Sequence, residues 1–205
     1  MSAHLAAADI TLGLLAGGRG SRLGGVDKAW IERDGVPQVL RLARRWPGET
    51  GAVLVSANRD PGRYAAAALE TVPDRLPAGS GPLAGIEALA AACRTPWLLT
   101  VPVDIFDAND CLVRTLVSCR DADGAVAEDA DGLQPLVALY RVQALRQLLP
   151  ATLADGELAP RRVQARLEMA TVRFAGVRFG NLNTPEDLAA LRLSLPRAWT
   201  GRSEP

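Results

Sequence analysis

Apolar residues in this chain fall into short unbroken runs separated by longer amphipathic stretches. The runs at 10–15 (Ile-Thr-Leu-Gly-Leu-Leu), 52–56 (Ala-Val-Leu-Val-Ser) and 97–101 (Trp-Leu-Leu-Thr-Val) have the length and flanks of strands buried on both faces. After Pro37, the apolar residues Val39, Leu40, Leu42, Ala43 and Trp46 predict a helix that Pro47-Gly48 ends. Further helices are expected at 64–69, 83–93, 108–119, 142–153, 161–167 and 185–193. Shorter extended pieces are expected at 29–32, 71–72, 125–127, 136–140 and 170–174. Asp34-Gly35 and the polar stretch 128–132 read as turns.

Strands alternating with helices predict an α/β fold: a Rossmann-like, doubly wound, mostly parallel sheet with helices on both faces. No repeat or linker divides the chain, so one domain is expected over 10–195, after a lead at 1–9 and before a disordered tail at 196–205. In such folds ligands sit at the carboxyl ends of the strands. The segments following 10–15, 52–56, 71–72 and 97–101 should therefore share one rim.

Composition narrows the function. The chain has 205 residues, 48% of them hydrophobic, enough for a sizeable core. Basic and acidic residues balance at 23 each, so nothing draws the chain to nucleic acid or to a membrane surface. No apolar run reaches membrane-spanning length and 1–9 lacks signal-peptide order, which makes a cytoplasmic protein the expectation. Cys93, Cys111 and Cys119 form no C-x-x-C pair and read as small, reduced side chains. His4 is the only histidine, so the chemistry must proceed without an imidazole triad or a His-based zinc site.

The candidate chemistry begins where the first strand ends. Residues 15–28 read Leu-Ala-Gly-Gly-Arg-Gly-Ser-Arg-Leu-Gly-Gly-Val-Asp-Lys and contain five glycines. A glycine-rich turn lets backbone N–H groups converge on phosphates, and Arg19, Arg22 and Lys28 add positive charge. Lys28 is the only lysine in the chain. A compact, mobile ammonium is a phosphate ligand that arginine replaces poorly, although a solvated loop lysine is the plainer alternative. The spacing fits neither the Walker A loop nor the dinucleotide G-x-G-x-x-G, which weakens ATPase and NAD readings. Asp104 ends the most apolar strand, where a carboxylate suits Mg²⁺ alongside phosphate oxygens and water; a cap or loop acid is the alternative. Asp74 follows Pro73 and reads equally as a turn residue or as an acceptor for nucleoside donors.

The loop, Leu-Ala-Gly-Gly-x-x-x-Arg-Leu-Gly-x-x-Asp-Lys, resembles the signature of the molybdenum cofactor guanylyltransferases, within the wider nucleotidyltransferase group. The resemblance extends from Leu12 to about Leu191. It returns at Gly81-Pro82-Leu83-Ala84-Gly85, at Pro102-Val103-Asp104 where the family usually has Pro-Cys-Asp, and at Asn181-Leu182-Asn183-Thr184-Pro185. It implies that Lys28, Arg22 and Asp104 carry catalysis, with Asp104 holding Mg²⁺ or Mn²⁺. Leu15, Ala16, Gly17, Gly18, Ser56, Asn58, Asp74, Gly81, Pro82 and Leu83 would bind the nucleotide together with Lys28 and Asp104. Ser56 stands where the family commonly has Asn, and Gln134-Pro135 where it often has His-Pro. Asn181 and Asn183 would face the second substrate. Arg161 and Arg162, at a predicted helix start, suit that substrate's phosphate, a solvated helical face being the alternative.

The implied reaction moves GMP from GTP to the terminal phosphate of molybdopterin-bound molybdenum and releases pyrophosphate. Proteins that deliver and collect the cofactor are implied as partners. A cytidylyltransferase of the same group, a sugar-nucleotide pyrophosphorylase and a non-catalytic nucleotide-binding module are the competing readings.

Overall fold

A computed structural model describes residues 5–17, 27–77, 79–180 and 193–194. The first three strands are β1 (Ile10–Leu15), β2 (Glu32–Arg33) and β3 (Val36–Pro37). They lead to helix α1 (Gln38–Ala43), strand β4 (Ala52–Ser56), helix α2 (Pro61–Ala66) and strand β5 (Glu70–Val72). Helix α3 (Pro82–Ala92), strand β6 (Trp97–Pro102) and helix α4 (Leu112–Cys119) form the centre of the chain. The hairpin β7 (Gly124–Asp129) and β8 (Gly132–Arg141) follows, then α5 (Val142–Ala154), α6 (Pro160–Gln164), β9 (Met169–Arg173) and β10 (Leu193–Ser194).

The main sheet has seven strands in the order β5-β4-β1-β6-β8-β7-β9. Only β8 runs against the others, pairing antiparallel with both β6 and β7. The mostly parallel sheet expected from the alternation is thus present. Apolar side chains leave β1 on alternate faces, as a pleated strand requires. Ile10, Leu12 and Leu14 join a core with Val39 and Leu42 of α1, Tyr64 of α2 and Leu116 of α4. On the other face, Leu83, Ile86 and Leu89 of α3 pack with Leu145 and Leu149 of α5 and Val163 of α6. Gly13 faces that second layer. A methyl group there would come within 2.9 Å of Leu89 Cδ1 and Leu98 Cδ1, so glycine lets α3 lie close on the sheet centre.

Several boundaries differ from expectation. Residues 28–30 form a 3-10 turn, because the Asp27 carboxylate caps Ala29 N–H at 2.9 Å; only the end of the expected 29–32 extended piece is strand. Asp34 and Gly35 adopt positive φ and close a short hairpin between β2 and β3. The alanine-rich helix begins at Pro61, whose fixed φ suits a first helical position, and ends before Leu69. Helix α4 starts at Leu112, later than 108, since Asn109 Oδ1 accepts from Cys111 N–H and holds a turn there. Residues 7–9, within the expected lead, make one 3-10 turn. The expected helix at 185–193 falls almost wholly outside the described residues, and Leu193 pairs with Arg33 as part of β10. The register of β7 and β8 jumps between Val126 and Ala127, leaving 135–137 unpaired. Pro135, with no N–H to donate, lies in that bulge.

Candidate active site

The parallel order of β5, β4, β1 and β6 brings their carboxyl ends to one rim. Backbone hydrogen bonds extend the ladder past the strands. Ala16 N–H donates to Ser56 O at 2.9 Å, Ala57 N–H to Val72 O at 3.1 Å and Val103 N–H to Leu15 O at 3.1 Å. Ala16, Gly17, Ser56, Asp74 and Asp104 therefore start from fixed main chain. Gly17 is exposed, and among the described residues a Cβ added there would meet no atom within 4 Å.

Lys28 and Asp104 meet at the centre of this rim. Lys28 Nζ lies 3.4 Å from Asp104 Oδ2, across 76 residues of sequence, with both side chains about a quarter exposed. The turn bearing Lys28 is pinned below. Trp30 is buried and tilts against Tyr64 with ring centroids 5.0 Å apart, while the Arg63 guanidinium lies 4.1 Å from the Trp30 ring centroid. Tyr64 O–H reaches Asp27 Oδ2 at 3.5 Å. Burial raises the Asp27 pKa above the ordinary carboxylate value, against the lowering by Ala29 N–H, Arg63 and Tyr64. Burial raises the Tyr64 phenol as well, with the nearby Asp27 charge adding to it. Gln38, itself buried, joins the two functional segments: its N–H donates to Ile31 O and its Nε2 to Ile105 O.

Toward β5, Asp74 is held by two side chains. Ser56 Oγ donates to Oδ1 at 3.2 Å and Asn58 Nδ2 to Oδ2 at 2.8 Å; Asp74 N–H returns a 2.8 Å bond to Asn58 Oδ1. The next residue, Arg75, forms a 3.0 Å ion pair with Glu87 of α3. Gly81 caps α3 with φ 66° and ψ −164°, a conformation open essentially only to glycine. Gly81 and Pro82 are exposed, whereas the side chains of Leu15, Ser56 and Leu83 are buried. Leu15 and Leu83 can thus meet a nucleotide only through main chain.

Beyond β6 the arrangement changes. Asp129, 4% exposed at the end of β7, accepts from Phe179 N–H, Asp131 N–H and Gln134 Nε2, all at 2.9 Å. Burial pushes its pKa up, but those three donors and the Arg178 charge more than offset that and leave it below the ordinary value. Phe179 O in turn accepts from Phe106 and Asp107 N–H, which ties this segment to the chain just after Asp104. Arg161 sits at the same end of the sheet, exposed, with Nη2 3.0 Å from Leu133 O. Gly18, Arg22, Asn181 and Asn183 lie outside the described residues.

The sequence reading missed Asp129, Gln38 and the Arg75–Glu87 pair. Gln38 reaches Ile105 and Asp129 reaches Phe179, 67 and 50 residues away, and no local motif marks either contact or the Arg75–Glu87 pair. Among the described residues no cluster of three or more His, Cys, Asp or Glu residues forms a metal cage, and no helix is long and apolar enough to cross a membrane.

An exposed glycine, Gly17, after the first strand, with an ammonium and a carboxylate meeting at the same strand-end rim, fits an α/β nucleotidyltransferase. The profile of the MobA-like NTP transferase domain matches residues 13–171, and the chain belongs to that family. It is 35% identical over 191 residues to the molybdenum cofactor guanylyltransferase of Cupriavidus taiwanensis, covering 89% of this chain and 96% of that one. It is 38% identical over 181 residues to the protein of that name in Pseudomonas aeruginosa, covering 86% and 91%. Among solved structures, its fold is similar to molybdopterin-guanine dinucleotide biosynthesis protein A from Archaeoglobus fulgidus, with a TM-score of 0.62 at 18% identity, covering 88% and 96%.

Proposed function

We propose that this chain transfers GMP from GTP to the terminal phosphate of molybdopterin-bound molybdenum, releasing pyrophosphate. The observation that carries the reading is the meeting of Lys28 and Asp104, 3.4 Å apart, at the strand-end rim beside Gly17. The names of the curated relatives support the choice of GTP and of the molybdenum cofactor.

In the transfer, an acceptor phosphate oxygen bonds to the α-phosphorus of GTP as the bond from that phosphorus to the bridging oxygen breaks. The acceptor is a phosphate monoester with a second pKa of about 6, already largely ionised near neutral pH. It needs no general base, which accords with a chain whose only histidine is His4. What remains is positioning and charge neutralisation. The Gly17 N–H, free of the Ala16–Ser56 backbone bond, faces the phosphates, and the Lys28 ammonium balances the charge that builds on the leaving oxygens. Arg22, Asn181 and Asn183 are assigned by resemblance to the same work: Arg22 to the phosphates and the two asparagines to the second substrate. Arg161 stands at the β8 end of the rim, and its use of Leu133 O fixes the guanidinium there.

Mg²⁺ fits this site. It takes one or two carboxylates and completes its octahedron with phosphate oxygens and water, so the part-exposed Asp104 carboxylate suffices without a protein cage. Mn²⁺ fits equally. When bound, the ion supplies charge neutralisation for the triphosphate and the departing pyrophosphate. Proteins that deliver the cofactor and collect the dinucleotide product belong to this proposal.

The test is pyrophosphate release from GTP and molybdenum-loaded molybdopterin. Activity is expected only with Mg²⁺ or Mn²⁺, and Asp104→Ala should lose the metal response. Full activity after EDTA treatment contradicts the metal assignment. Turnover with a sugar phosphate in place of the cofactor contradicts the choice of acceptor.

A further inference from the structure

We propose that Ser56 is a positioning residue for the nucleoside-reading carboxylate of Asp74, and that its side chain performs this without touching the nucleotide. The proposal rests on the reading of Asp74 as a nucleotide contact.

Ser56 is 1% exposed, so its hydroxyl is closed to a ligand at the rim. Its main chain and side chain are both in use. The carbonyl accepts from Ala16 N–H in the phosphate turn, and Oγ donates to Asp74 Oδ1 at 3.2 Å. On its other side the hydroxyl rests on Gly85 of α3, where an added methyl group would come within 2.7 Å of Oγ. Glycine in this helix therefore lets α3 close over Ser56 and confine its hydroxyl beside the carboxylate.

An ionised carboxylate offers about two acceptor directions on each oxygen. In Asp74 each oxygen spends one direction on a protein donor, Ser56 on Oδ1 and Asn58 on Oδ2. The other directions stay open on a side chain that is only partly buried. The terminal torsion of an aspartate is broad, so without a second donor the carboxylate plane is poorly set. Asn58 is exposed and grips one oxygen; Ser56, locked between β4 and α3, fixes the other. The Arg75–Glu87 ion pair fastens the following residue to the same helix. The angle at which Asp74 meets guanine N–H groups or ribose hydroxyls is thus set from the protein interior.

The experiment is calorimetric titration of the full chain with GTP, inosine triphosphate (which lacks the 2-amino group) and 2′-deoxy-GTP, in Mg²⁺. Unmodified protein is compared with Asp74→Ala, Ser56→Ala and the double variant. Asp74→Ala should reduce the preference for GTP over one analogue, which names the group that Asp74 reads. Ser56→Ala should reduce the same preference by about fivefold, and the double variant should fall no further than Asp74→Ala. Ser56→Cys, with similar shape and a much weaker donor, should show the same loss and serves if Ser56→Ala does not fold. A preference in the Ser56 variants within about twofold of the unmodified protein overturns the proposal. So does a double variant that falls further by the full Ser56 factor, since that marks a separate contact. If Asp74→Ala moves neither ratio, the proposal fails along with that role for Asp74, while GMP transfer by the unmodified chain stands as its own result.

Discussion

Asp74 and Asp129 end segments on opposite sides of the Asp104 strand and are held in contrasting ways. Asp74 is partly exposed and takes two side-chain donors, one per oxygen, through Ser56 and Asn58. Asp129 is 4% exposed and takes three donors, two of them main-chain N–H groups. A buried charge is tolerated when it is hydrogen-bonded, and Asp129 takes two donors on Oδ1 and one on Oδ2. Asp129 is therefore a bracket. It fixes the tight turn of the β7–β8 hairpin to Phe179, just ahead of the segment carrying Asn181 and Asn183. Asp74, by contrast, keeps acceptor capacity at the surface. Between them, Asp104 faces an ammonium at 3.4 Å, a pair loose enough to be shared with phosphates.

If the centre carries the chemistry, the largest effect comes from Lys28. Lys28→Ala should lower turnover by roughly 100-fold or more, in the range seen when a charge-stabilising donor is removed. Lys28→Arg should recover little, because a planar guanidinium does not replace a compact ammonium. Steady-state pyrophosphate release measures this, with circular dichroism as the folding control; near-normal turnover in Lys28→Ala refutes the role.

The bracket is broken next. Asp129→Asn retains the shape but loses the charge, and should cost about 1.5–3 kcal/mol of stability near neutral pH, the scale of hydrogen bonds to a charged group. Its folded pKa lies below the unfolded value near 4, so its contribution is full above about pH 4 and is lost as pH falls through the folded pKa. Urea unfolding of both proteins across pH should show a gap that closes in acid. A gap that widens in acid would reverse the assignment, and a variant with normal stability but altered GTP selectivity would erase the contrast with Asp74.

Gly85→Ala probes the Asp74 side through packing alone. The added methyl group crowds Ser56 Oγ and Leu15 Cδ2, at a cost of about 1–3 kcal/mol that neighbouring atoms relieve by shifting. Thermal unfolding should show the loss, accompanied by weaker GTP binding. Unchanged binding would separate α3 packing from the nucleotide side.

The fold was largely legible in the sequence because its strands are continuous apolar runs and its helices alternate with them. Strands β1 and β4 lie where the apolar runs place them, and the middle strand β6 differs only by including Pro102. Boundaries shifted where a side chain captured local backbone: Asp27 turned residues 28–30 into a 3-10 helix, and Asn109 delayed α4. Lys28 and Asp104 stood out because an isolated lysine and a carboxylate after an apolar strand are locally odd. Asp129 and Gln38 did not, because their meaning comes from Phe179 and Ile105, contacts 50 and 67 residues away. The resemblance makes Ser56 a nucleotide contact, whereas its burial, its packing against Gly85 and its bond to Asp74 are visible only in the fold.

The central claim is that this rim holds guanosine triphosphate for transfer. Its most direct test is competitive titration of the full chain with GTP, CTP and ATP in Mg²⁺, followed by single-turnover transfer from each to molybdenum-loaded molybdopterin. A site built on hydrogen bonds to guanine penalises a base that leaves its groups unpaired by about 1–3 kcal/mol per group. GTP is expected to bind at least about tenfold more tightly than CTP or ATP and to be the nucleotide transferred, at about 1.4 kcal/mol per decade. CTP binding as tight as GTP, with CMP transferred at a comparable rate, contradicts the account.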